Sequence, residues 1–246
     1  MIIIHNRKKI NPKISIITPT FNSATYLEQT LQSIIGQKYQ NYELIIIDGG
    51  STDGTLDIVK KYKKNINYCL TKKDSGIYDA FNKGMAVAKG EYILIVNSDD
   101  TLTKNAFSIL NKYDKKYPQL DFFFGAVKKH WGVLYGYNGK KIRYSWGFYS
   151  SHSTGFFIKK KSAKKVGLYN LKYKYHADYD YFYRMIVQHK MYGVGSQKKE
   201  VVGIFRRGGF SSKISFKKKF YEELKIRYNN KQNLIIILII AIYKFF

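Results

Sequence analysis

Asp99 and Asp100 follow directly on Tyr92-Ile93-Leu94-Ile95-Val96, five apolar residues without alternation. Such a run reads as a strand covered on both faces, as in a parallel sheet. Ligands of open α/β sheets sit outside the carboxyl ends of the strands, which is where this pair stands. Hard divalent cations such as Mg²⁺ take oxygen ligands, commonly one or two carboxylates plus substrate phosphates. The pair is therefore a candidate metal site. The competing reading is a helix start, with Ser98 or Asp99 capping a helix over Thr101–Leu110.

The elements around this pair repeat one rhythm. Ile14–Thr18 reads as a strand ending at Pro19-Thr20-Phe21-Asn22, and Tyr26–Ile35 has helical spacing up to Gly36. Tyr42–Ile47 is a second buried strand, followed by a loop dense in turn residues, Asp48–Gly54. Thr55–Tyr62 suits a helix, Ile66–Leu70 a weaker strand, and Asp79–Lys89 a helix ending at Gly90. Alternating strands and helices predict right-handed crossovers and a mostly parallel sheet. Its strand-end loops would gather Pro19, Asp48, Asp74 and Asp99 on one edge. The second half is less regular: strands are expected at Phe122–Val127 and His152–Ile158, hairpins or an irregular loop over Lys128–Tyr149, and a helix at Tyr179–Gln188. Lys213–Asn230 has the pattern of a basic amphipathic helix. Leu234–Ile242 is strongly apolar but shorter than the roughly 20 residues that span a bilayer. It suits either an interfacial helix or a core element.

At 246 residues with 45 % apolar content, the chain can bury a sizeable core. Its single cysteine, Cys69, excludes an internal disulfide framework and fits a reducing compartment. Met1–Ile4 is too short an apolar run for a leader, and its basic residues follow rather than precede it. The formal charge of +26 suits nucleic acid, an anionic membrane or phosphorylated substrates. The wide spread of lysines weakens the nucleic-acid reading, although Lys159–Lys161, Lys164–Lys165 and Lys217–Lys219 cluster. The sequence has no P-loop, no G-x-S-x-G elbow and no cysteine–histidine zinc pattern.

Four blocks, Ile16–Asn22, Asp48–Thr55, Asp74–Gly84 and Asn97–Asp100, occur in the order found in the family-2 glycosyltransferases, which the sequence resembles over about residues 14–110. His176-Ala177-Asp178-Tyr179-Asp180 and Gly208-Gly209-Phe210-Ser211 further resemble the bacterial surface-polysaccharide branch. The resemblance implies an α/β GT-A fold, an inverting mechanism and a metal cofactor, Mg²⁺ or Mn²⁺. It implies donor-binding roles for Thr18, Pro19, Phe21 and Asn22 around the base and ribose, and for Asp48, with Gly50, at a base N–H. A carboxylate only accepts, which suits a uracil imide; a turn-initiating Asp is the other reading of Asp48, while Asp53 suits the cap of the following helix. Asp79, Asn82 and Lys83 would lie under the diphosphate. Asp79 and Lys83, four apart, equally suit a structural ion pair. Asn97-Ser98-Asp99 occupies the family's D-x-D position with Asn at its first place, leaving Asp99 as first metal ligand and Asp100 as second.

Asp178 matches the family's general base, which takes the proton of the attacking hydroxyl. Asp180 is its competitor, and the helix cap is the other role for Asp178. His152 and Arg206 are further acceptor-side candidates, and Arg206 with Arg207 suits a diphosphate clamp. The expected organisation is a GT-A domain over 1–212, with halves at about 14–110 and 111–212, and a tail over 213–246. The expected donor is a UDP-sugar and the acceptor a glycan or polyprenyl-linked glycan of surface polysaccharide such as O-antigen or capsule. The expected place is the cytoplasmic face of the membrane, with peripheral contact to anionic lipid and no nucleic acid. A non-catalytic nucleotide-sugar-binding module and a nucleotidyltransferase are the alternatives.

Overall fold

The computed structural model describes residues 3–5, 11–144, 153–208 and 214–245. Four strands, β2 (Ile14–Thr20), β3 (Tyr42–Asp48), β4 (Tyr68–Thr71) and β5 (Tyr92–Ile95), pair in parallel in the order β4-β3-β2-β5. A short β1 (Ile3–His5) closes the β4 edge antiparallel. Beyond β5 the sheet continues through β10 (Phe156–Lys159) and β7 (Phe122–Phe124) to β11 (Gly193–Gly195), with β10 antiparallel to both neighbours.

The runs lack alternation because both faces are covered. Ile17, Ile45, Ile47, Ile93 and Ile95 pack on one side with α3 (Ile77–Val87) and α7 (Ala177–Tyr183). Ile14, Ile16, Leu44, Ile46 and Leu94 pack on the other, with α1 (Leu27–Ile35), α2 (Thr55–Lys61) and α4 (Ala106–Lys116). Register sets Thr20 beside Asp48 and Asp48 beside Thr71, so the strand ends share one edge.

Several expected elements change. Thr101–Leu110 is not one helix: Thr101–Leu102 forms β6, and α4 begins at Ala106. The cause is tertiary. β6 pairs antiparallel with β12 (Val201–Ile204), and the Thr103 amide donates to the Val202 carbonyl. Ser98 and Asp99 are therefore not helix caps. Phe122–Val127 splits at Gly125 into β7 and β8 (Ala126–Lys129), which belong to different sheets. A Cβ at Gly125 would stand 2.4 Å from Val202 Cγ2, so the crossing needs glycine. The smaller sheet runs β6-β12-β8-β9, with β9 (Gly132–Leu134) completing a hairpin. After it, α5 (Lys141–Tyr144) is one short turn.

A 3-10 turn, Ser153–Gly155, precedes β10, and α6 (Lys160–Val166) follows it. The expected helix over Tyr179–Gln188 is α7 followed by a π turn, Arg184–Gln188. The tail forms α8 (Phe216–Asn229) and α9 (Leu234–Phe245). Ile226 of α8 lies in the same buried cluster as α3 and α7. Arg227, fully buried, stacks 4.9 Å from the centre of the Tyr179 ring and pairs with Glu223 at 2.7 Å.

Candidate active site

The strand-end edge is knitted together by its own loops. Asn22 adopts a φ of 47°, which its short polar side chain tolerates; its Oδ1 accepts from the Thr52 amide and its amide donates to Ser51 Oγ. This turn throws Phe21 outward, 63 % exposed, as a free aromatic face at the end of β2. Ser23 Oγ and Ser98 Oγ, 2.7 Å apart, tie the β2 loop to the β5 loop. Thr18 and Pro19 are buried within β2, and Thr18 Oγ1 has no hydrogen-bond partner. They shape the site from beneath instead of lining it.

Asp48 is fully buried, and its two oxygens accept four donors: the Thr20 and Ser51 hydroxyls and the Gly50 and Ser51 amides. These fill its acceptor positions. The expectation that Asp48 reads a base N–H is thus replaced by the turn-forming role, with Gly50 at φ +93° as the turn's permissive residue. Asp53 accepts from the Ala24 and Thr55 amides and so fixes the start of α2.

Three residues of the Asp74–Gly84 block are used structurally. Asp79 pairs with Lys83 at 3.1 Å and accepts from the Ser75 amide. Asn82, expected near the donor, is buried, and both ends of its amide clamp the backbone of Tyr169 at 2.9 Å. Asn82 thus ties α3 to the loop at Tyr169.

At the end of β5 the two carboxylates divide their work. Asp99 is partly exposed, with Oδ2 3.4 Å from Arg206 Nη2. Asp100 is fully buried and accepts from Thr154 Oγ1, Asn97 Nδ2 and the Arg206 amide. Burial pushes its carboxyl up to about 7, the Asp99 charge adds to this, and the Thr154, Arg206 and Asn97 donors oppose it. Asp100 therefore fixes the loop, which corrects its expected role as second metal ligand. Asn97 Oδ1, two residues before Asp99 in the same loop, is buried without a partner. One accessible carboxylate with a spare amide oxygen nearby fits a Mg²⁺ or Mn²⁺ ion that takes its remaining ligands from phosphates and water. Among the described residues no three His, Cys, Asp or Glu side chains form a metal-holding group.

Arg206 belongs to this corner as well. Its guanidinium stacks 3.6 Å from the centre of the Tyr26 ring, and its Nε is buried without a partner. It therefore stands at the Asp99 end of the strand-end edge. His152 and the Gly209–Ser211 part of the motif lie outside the described residues.

The second pole is the start of α7. Asp178 sits in the first turn, with His176 at the cap position. Its side chain reaches solvent, yet protein crowds around it on most sides. That loss of hydration raises its carboxyl above the ordinary range; His176, the Tyr179 amide and the Tyr78 hydroxyl oppose the rise. Tyr78 Oη donates to Asp178 Oδ1 at 3.2 Å. Asp180 points the other way: it is buried, ion-paired with Arg184 at 2.9 Å, and accepts from Asn230 Nδ2. Its expected acceptor-side role gives way to a structural one.

Two groups are not singled out by the sequence reading. Lys129, at the end of β8, is largely enclosed, and burial lowers its ammonium from the ordinary range while the charges of Asp100 and Asp178 oppose the fall. Glu222 of α8 accepts the consecutive amides of Lys174, Tyr175 and His176 at 2.7, 2.6 and 2.8 Å. It clamps the loop that presents Asp178. Its one trace in the sequence is that Glu222-Glu223 interrupts an otherwise basic stretch.

Comparison with known proteins shows the family and the fold. The family model described as glycosyl transferase family 2 matches residues 15–176. A PGL/p-HBAD biosynthesis glycosyltransferase of Mycobacterium bovis is 31 % identical over 179 residues, covering 69 % of this chain and 68 % of its own. The putative teichuronic acid biosynthesis glycosyltransferase TuaG of Bacillus subtilis is 37 % identical over 114 residues, 45 % of this chain and 42 % of that protein. In three dimensions the chain is similar to S. aureus TarS 1-349 in complex with UDP-GlcNAc, with a TM-score of 0.67 at 19 % identity over 88 % of this chain and 66 % of that one. The chain thus spans about two thirds or less of these relatives' length.

Proposed function

The chain belongs to glycosyltransferase family 2 and has its GT-A fold, and from that premise we propose an inverting transfer of a sugar from a nucleotide-diphosphate donor to a hydroxyl acceptor. The donor in this reading is a UDP-sugar, the class bound in the TarS complex. The acceptor is a glycan or polyprenyl-linked glycan in the assembly of a bacterial surface polymer, as the name of the TuaG relative suggests. The place of action is the inner face of the cell membrane.

The observation that carries the proposal is the exposed Asp178 carboxyl, held by Tyr78 Oη at 3.2 Å, in one chain with the Asp99–Arg206 pair at the strand-end edge. Phe21 offers its face to the nucleotide base. The Arg206 guanidinium contacts diphosphate oxygens, a geometry that arginine suits. Asp99 and Asn97 would hold a Mg²⁺ or Mn²⁺ ion, which would neutralise charge on the diphosphate. Asp178 takes the acceptor hydroxyl proton as that oxygen attacks the anomeric carbon. The carbon–oxygen bond to the diphosphate breaks on the opposite face, which inverts the centre, and the proton passes from Asp178 to solvent.

Calorimetric titration with UDP, GDP and dTDP, with and without Mn²⁺, tests the donor site in the wild type and in Asp99→Ala. Metal-dependent UDP binding that the variant loses is the expected result. Binding of none of the three with metal present would overturn the proposal. The linkage is then read by the anomeric configuration of product formed from UDP-sugars.

A further inference from the structure

α9 presents an apolar face that nothing among the described residues covers. Leu234, Ile235, Leu238, Ile239, Ile242 and Tyr243 are each more than half exposed. Their spacing, two neighbours repeated every four residues, makes one continuous stripe along the helix. The opposite side is spent on packing: Ile240 is buried, and Lys244 Nζ stands 5.2 Å from the centre of the Phe216 ring of α8. This contact lays the end of α9 against the start of α8. Soluble proteins rarely leave apolar patches of this kind bare.

The charges around the stripe have one sign. Residues 213–246 carry eight Lys or Arg and two Glu. Both acids turn inward: Glu222 holds the backbone of residues 174–176, and Glu223 pairs with the buried Arg227. Outward, α8 shows Lys217, Lys218, Tyr221, Lys225 and Tyr228, all exposed. Positions 217, 221, 225 and 228 share one face, so lysine and tyrosine alternate along it. Lys231 sits exposed in the turn before α9, and Lys217 and Lys218 stand near its far end. The apolar stripe is thus bracketed by lysines at both ends.

No described helix is long and apolar enough to cross a membrane. A helix with one apolar face, flanked by lysine and tyrosine, lies in the plane of the interface and buries that face about 5–10 Å deep. Tyrosine is favoured at that depth, and lysine is drawn to anionic headgroups. We propose that α8 and α9 form an interfacial seat for an anionic phospholipid surface, with the six-residue stripe of α9 inserted and the α8 lysines on the headgroups. This deepens the membrane location proposed above by naming the surface, and it stands apart from donor binding. Glu222 joins the seat to the loop that carries Asp178.

Flotation of the whole chain with vesicles of phosphatidylcholine alone, or of phosphatidylcholine with 30 % phosphatidylglycerol, tests the seat at low and moderate salt. The expected result is binding to the anionic vesicles, weakened by salt and by neutral composition. Leu238→Glu with Ile239→Glu removes it, while circular dichroism and UDP binding stay as in the wild type. Lys217→Ala with Lys218→Ala weakens partitioning about 25-fold, since each headgroup-facing lysine contributes about fivefold. Equal binding to neutral and anionic vesicles overturns the proposal. So does absence of vesicle binding together with a dimer, seen by light scattering, that Leu238→Glu dissolves, which assigns the stripe to a second copy. If vesicles are ignored while UDP is bound, the seat falls and the transferase proposal stands.

Discussion

Glu222→Ala probes how the tail reaches the chemistry. One carboxylate accepts three consecutive amides, from Lys174, Tyr175 and His176, at 2.6–2.8 Å, and Asp178 follows two residues later in the first turn of α7. A hydrogen bond to a charged acceptor contributes about 1.5–3 kcal/mol. The Lys174 amide lies at the exposed end and water replaces its partner, so two half-buried bonds set the cost at about 3–5 kcal/mol. For a chain of this size each kcal/mol lowers Tm by about 2–4 °C, which gives a fall on the order of 10 °C. Glu222→Gln keeps an acceptor but loses the charge, and its loss is about half as large.

A merely structural clamp would lower Tm alone. A positioning clamp also lowers kcat, leaves the KM for donor and the calorimetric affinity for UDP unchanged, and is partly rescued by Gln. The proposed donor corner at Asp99 and Arg206 follows the ends of β5 and β12, which the clamp does not touch. The assays are thermal unfolding, UDP titration and sugar-transfer kinetics on the three proteins. Glu222→Ala with a Tm within about 1 °C of the wild type and unchanged kcat would refute the reasoning.

Asp178→Asn lowers turnover by roughly 10²–10⁴-fold, the usual worth of a general base, and UDP binding persists. Asp178 must be ionised to act, and its carboxyl is raised, so turnover falls with falling pH above the ordinary carboxylate range. The Tyr78 hydroxyl favours the ionised form; Tyr78→Phe therefore moves that acid limb to higher pH in a pH–rate profile. Glu200 gives a stability signature: burial opposes ionisation, but Lys112, the Tyr113 hydroxyl and the Gln197 amide together pull its carboxyl down from 4.5 to about 2. Its contribution is present above the unfolded value and lost as pH falls toward 2. With the Lys112 side chain largely exposed, it is worth on the order of 1–2 kcal/mol. Urea unfolding at pH 7 and pH 3 would show Glu200→Gln lacking that part of the acid sensitivity. Gly125→Ala forces its Cβ against Val202, 2.4 Å away, and costs about 1–3 kcal/mol of stability by overpacking, read by the same unfolding assay.

The sequence by itself determined the parallel half of this protein. Buried parallel strands need unbroken apolar runs, and turns at their ends need Gly, Asn and Asp, so β2, β3 and β5 and their loops are written locally. The family blocks follow from the same cause, because the carboxylates must stand at those strand ends. The tertiary structure alone decided which carboxylates are accessible. Asp99 and Asp100 are neighbours of one type, yet Thr154 and the Arg206 amide, far away in the chain, hold Asp100 in the interior and leave Asp99 at the surface. Asp178 and Asp180 part in the same way, because Arg184 and Asn230 draw Asp180 inward. Asp48 and Asn82 carry a binding chemistry that their neighbours consume. A residue's type states which bonds it can make, whereas which of them are already made depends on partners that only folding brings within reach.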